Sequence, residues 1–139
     1  STTLGISGAP PPMRYVVTST KSVDQAAADL EEAVRANGFG VLHQYDLKKT
    51  LAGKGVELRH ECRILDVCNP QQAARVLAAD MGMNIALPCR ISVYEEGGQT
   101  RIGMVKPTAM LASLSDSQEL KHVAEDVELA VTRMIDAAS

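Results

Sequence analysis

Three cysteines, Cys62, Cys68 and Cys89, fall within residues 60–96, with His60 at the start of that stretch and Arg90 beside the last thiol. Thiols offer two chemistries, nucleophilic or redox reaction as thiolates and ligation of soft metals. Alternation along a strand over 57–68 puts His60, Cys62 and Cys68 on one face, with Cys62 and Cys68 about 20 Å apart, beyond disulfide reach. Asn69, Pro70 and Gln72 read as the N-cap, first helical residue and capping-box partner of a helix over 70–80. Cys68 therefore precedes a helix N-terminus, where amide donors and the helix dipole favour a thiolate. Arg90 offers a cation for an anionic adduct, and Cys62 or Cys89 a resolving thiol, a pattern that suits sulfane-sulfur chemistry or oxidation sensing. The plainer alternative is a structural module whose cysteines are small buried residues, since cysteine is among the most buried residue types.

A metal site would draw on His60, Cys62, Cys68 and Cys89, with His43 as a further nitrogen donor and Met81 or Met83 as a thioether. Such donors suit copper(I), zinc or haem iron rather than magnesium or calcium. The cysteine spacings, six and twenty-one residues, are unlike the close ligand pairs of zinc sites. Other chemistries have less material. Gly53-Lys54-Gly55 lacks the spacing of a phosphate loop, and no Cys-x-x-Cys motif occurs. His60, Asp66 and Ser92 form a triad only on paper, without a nucleophile elbow. The chain reads as a binding protein for a small ligand or metal rather than as an enzyme.

The elements that position these groups follow from period and punctuation. A β-branched run over 14–20 reads as a strand. Ser22 and Gln25 open a helix carrying Val23, Ala26, Leu30 and Val34 as far as Gly38. A strand over 39–47 has Phe39, Val41, His43 and Tyr45 on one face, and residues 48–56 read as a helical turn and loop. After the helix over 70–80, a turn at 81–84 leads to a strand over 85–95, with Ile85, Leu87, Cys89, Ile91 and Val93 on one face and Arg90 on the other. Pro88 marks an edge, a bulge or the true start of that strand. Gly97-Gly98 closes a hairpin into a strand over 99–106, ended by Pro107. Residues 107–113 lead to a last helix with an apolar stripe of Leu120, Val123, Val127, Val131 and Met134, widened by Ala124, Ala130 and Ala138, which is either core or a dimer face.

The 139 residues suit one domain over 13–139 behind a flexible Pro-rich arm over 1–12. A net charge of −3, no basic cluster and only four aromatic residues argue against nucleic acid as a partner. No apolar run approaches the ~20 residues of a membrane span. An odd number of cysteines favours a reducing, cytoplasmic location over a disulfide framework, with the periplasm after signal removal as the alternative.

With the elements placed, ECRILDVCNP at 61–70 and LPCRISVYEEGG at 87–98, followed by a strand and Pro107, resemble the domain-of-unknown-function family number three-hundred-and-two. That resemblance implies an α+β fold of β-α-β4-α, TATA-binding-protein-like topology, with a curved antiparallel sheet, an extra short helix at 70–80, a long C-terminal helix and a homodimer. It also implies antiparallel strands where the strand-helix-strand order alone suggests a parallel crossover. The family has no settled activity, so no catalytic residues follow from it.

Overall fold

The structure, a computed structural model, describes residues 13–139, and the arm expected over 1–12 lies outside them. Five strands, β1 (Arg14–Ser19), β2 (Gly40–Asp46), β3 (Cys62–Cys68), β4 (Cys89–Glu96) and β5 (Gln99–Val105), form one sheet in the order β1-β5-β4-β3-β2. Every neighbouring pair is antiparallel, including β3 and β4, which the parallel alternative would have made parallel. Five helices accompany the sheet: α1 (Val23–Ala36), α2 (Leu47–Ala52), α3 (Pro70–Ala79), α4 (Pro107–Ala112) and α5 (Gln118–Ala138). A 3-10 turn spans Met81–Ala86. Among the described residues no helix is long and apolar enough to cross a membrane.

Alternation sorts the two faces of the sheet. Leu65 and Val67 of β3, Ile91 and Val93 of β4 and Ile102 of β5 are fully buried against α1 and α5. Each such side chain contributes roughly 1.5–3 kcal/mol by leaving water. The residues between them, Cys62, Ile64 and Asp66 on β3 and Arg90, Ser92 and Tyr94 on β4, share the opposite, helix-free face. The C-terminal stripe is core: Leu120, Val123, Val127, Val131 and Met134 are all buried beneath the sheet. That removes it as a dimer face.

Local signals account for most boundaries. Ser22 Oγ accepts from the Gln25 amide, but the Gln25 side chain donates to Asp29 rather than back to Ser22, so only half of the expected capping box forms. Helix α1 ends in a Schellman arrangement. Gly38, at φ +78°, donates to Arg35 O, and Phe39 donates to Val34 O. Gly97 and Gly98, both at positive φ, make the two-residue hairpin between β4 and β5.

Three expectations are corrected. The pairing of β2 with β3 shifts between Val41 and His43, a bulge that keeps Phe39 and Val41 on the core side but sends His43 and Tyr45 to the helix-free face. The strand expected over 57–68 begins only at Cys62, which leaves His60 exposed and outside the sheet. The strand expected over 85–95 begins at Cys89. Asp80 accepts from the Gly82 amide and Asn84 caps Met81 O, so residues 81–86 coil into a 3-10 turn and Ile85 is 84% exposed. Pro88, which cannot donate to a ladder, accordingly stands just before a central strand.

Candidate functional site

Cys68 ends β3 and Cys89 begins β4. Because Cys89 lies opposite Val67, the chain leaves the sheet at one thiol and returns beside it at the other. The intervening strap, residues 69–88, contains α3 and the 3-10 turn. Helix α3 buries only Val76 and the turn only Met83, so the strap is anchored by few apolar side chains. Beneath it lies a cavity of about 50 Å³ lined by Cys68, Met83, Cys89 and Met110, with Val76 and Val127 among its apolar walls. Met110 comes from α4, which is fastened to α5 by Thr108, whose amide and hydroxyl both donate to Glu128 Oε1 at 3.1 and 2.6 Å.

The N-terminus of α3 is capped as expected. Asn69 Oδ1 accepts from the amides of Gln71 and Gln72 at 3.1 and 3.2 Å, and Asn69 O accepts from the Ala73 amide. Pro70 has no N–H to offer. The first amides of the helix are thereby engaged, which leaves the helix dipole, rather than free donors, as the local influence on Cys68. Burial pushes the Cys89 thiol up to about 11, with the neighbouring Cys68 adding to the shift. Cys89 is thus a protonated thiol at neutral pH.

The remaining predicted site residues lie elsewhere. Cys62, opposite Tyr94, sits at the far end of β3 from Cys68. Burial raises its pKa, Arg90 opposes that shift, and Asp46 reinforces it. Arg90 is exposed on the helix-free face opposite Asp66, and alternation points it away from the side of Cys89. It borders a separate trough of about 410 Å³ over β4, β5 and β1, with Arg14, Ser92, Tyr94 and Gly103. Among the described residues no group of three or more His, Cys, Asp or Glu side chains could hold a metal ion, so His60, Cys62, Cys68 and Cys89 do not converge. Leu87, Pro88, Cys89, Pro107 and Met110 line both the trough and the cavity.

A family model described as domain of unknown function DUF302 matches residues 15–138. The chain belongs to that family. This DUF302 chain is also similar to the crystal structure of an uncharacterized conserved DUF302 protein from Bacillus stearothermophilus. The TM-score is 0.86 at 38% identity, over 92% of this chain and 99% of that one. No curated protein matches it.

Residue type rather than spacing singled out Cys68, Cys89 and Met83 as candidates, and nothing in the sequence pointed to the cavity they share in the DUF302 fold. Met110 carried no signal. It reaches the cavity only because Pro107 starts a short helix directly after β5, and no periodicity in 107–113 reveals which way that helix faces.

Proposed function

We propose that this domain is a small-ligand binding protein whose site is the cavity beneath the 69–88 strap, with Cys68 and Cys89 acting as a paired thiol. One observation supports it above others: the exit and return of the strap at neighbouring positions of β3 and β4 put both thiols on the wall of one cavity. A volume of about 50 Å³ is several times the ~10–15 Å³ one water needs, and suits a ligand of one to a few heavy atoms. The engaged amides of α3 favour thiols that ligate or carry a small species over an amide-activated nucleophile. Zinc fits less well because it asks for four nitrogen, oxygen or thiolate donors, and haem because such ligands need roughly 300 Å³ or more. Three free cysteines suit a reducing compartment.

The order of strands and helices supports the TATA-binding-protein-like reading of the sheet. A homodimer, implied by the family resemblance, belongs to the same proposal, with an interface formed by a surface other than the buried C-terminal stripe. Sedimentation at micromolar concentration tests it; a monomer contradicts it.

A monosubstituted trivalent arsenical, phenylarsine oxide, tests the paired thiol because it bridges two neighbouring thiols. The reduced protein is expected to take up one equivalent, with Cys68 and Cys89 together protected from alkylation and Cys62 unaffected. No adduct, or an adduct on single thiols, overturns the pairing.

A further inference from the structure

The cavity has an unusual donor set. Four sulfur-bearing side chains from four segments border it: Cys68 at the end of β3, Met83 in the 3-10 turn, Cys89 at the start of β4 and Met110 in α4. No histidine or carboxylate lines it. Its two polar side chains are engaged elsewhere, Asn69 in capping α3 and Gln72 in accepting from Arg75 Nη1 at 3.2 Å. A buried methionine is ordinarily filler. Here two methionines and two thiols border a void instead of closing it, and Met83 is drawn into the core from a turn whose neighbours Met81 and Ile85 are exposed.

Thiolate and thioether sulfur select soft monovalent copper. Zinc also takes thiolates but asks for four nitrogen, oxygen or thiolate donors, where this cavity has two thiols and no histidine or carboxylate, and magnesium and calcium ask for oxygen ligands. We propose that the cavity is a copper(I) site, with Cys68 and Cys89 as thiolate ligands and Met83 and Met110 as thioether ligands. The proposal rests on the paired-thiol reading of the same cavity and names its ligand. Binding one copper(I) ion forms two copper–thiolate bonds and releases the two thiol protons to solvent. The metal stays in the +1 state and no electrons are transferred, so no oxidant or reductant is required. The resulting bis-thiolate site carries one net negative charge within predominantly apolar walls. Pro88, Cys89 and Met110 line both this cavity and the neighbouring trough.

The test is competition for copper(I) between the reduced full chain and a chromophoric copper(I) chelator under anaerobic conditions, with X-ray absorption of the loaded wild-type protein. One equivalent is expected to move to the protein, with sulfur as the sole nearest neighbour of the metal. Cys68→Ser and Cys89→Ser should each weaken binding by at least about 100-fold and Met83→Leu by about 10-fold, while Cys62→Ser, outside the cavity, changes nothing. Absorption data on the wild-type protein do not depend on any variant folding. Copper(I) left on the chelator while phenylarsine oxide still bridges Cys68 and Cys89 overturns the copper assignment and leaves the paired thiol standing. Failure of both reagents overturns both. Nitrogen or oxygen neighbours, or uptake that depends on Cys62, also overturn the copper site.

Discussion

Cys89 lies directly across the sheet from Val67, the residue before Cys68, so the two thiols mark the two roots of the strap that covers the cavity. Neighbouring thiols at the base of a loosely anchored loop make both the chemistry and the loop's opening accessible to experiment.

Ionisation of Cys89 should couple to stability. Its folded pKa, near 11, is raised above the ordinary thiol range, so between pH 9 and 11 the folded state holds a proton that the unfolded state has lost. Stability from this group is fully present below about pH 9 and is lost as pH rises through 11, a change of roughly 2–3 kcal/mol. Denaturant titrations at pH 8 and pH 11 should show that loss in the wild type, and Cys89→Ala should reduce it.

The strap should open when its cap is removed. Asn69→Ala deletes the acceptor for the Gln71 and Gln72 amides and should cost about 1 kcal/mol. Hydrogen exchange should quicken in α3 more than in α5, and alkylation of Cys68 should speed up with it.

How far the sequence foretold this arrangement depended on how local each signal was. Ser22, Asn69 and Gly97-Gly98 act within a few residues, and the helices and hairpin they specify appear where expected. The bulge at Val41 and His43 is set by pairing with β3 and was not legible, whereas a turn was expected at 81–84 and only its continuation through Ala86, with the Asp80 side chain overriding an apolar alternation, was missed. For the same reason the thiols and Met83 were identifiable as candidates, whereas Met110 and the cavity they share were not. The separation of Cys62 from Cys68 followed from strand geometry, but the approach of Cys68 to Cys89 needed the β3–β4 register.

The edge pairing of β1 depends on a glycine. A Cβ at Gly103 would lie 2.9 Å from Val16 Cγ2 and 3.3 Å from Tyr15 O. Gly103→Ala should destabilise the fold by roughly 1–3 kcal/mol, measured by urea unfolding. Adding Val16→Ala to that variant should recover part of the loss.

The C-terminal helix separates core from surface within one element. Val131→Ala, at a fully covered position, should cost at least about 1 kcal/mol through lost burial and a residual cavity. Leu129→Ala, at a position 54% exposed, should stay within about 0.5 kcal/mol of wild type in the same unfolding experiment.

The pairing of Cys68 with Cys89 is tested most directly by crystallising the phenylarsine oxide adduct and locating arsenic by its anomalous scattering. Arsenic bonded to both Sγ atoms, between the end of β3 and the start of β4, is the predicted result. Arsenic on a single thiol, or at Cys62, contradicts the account.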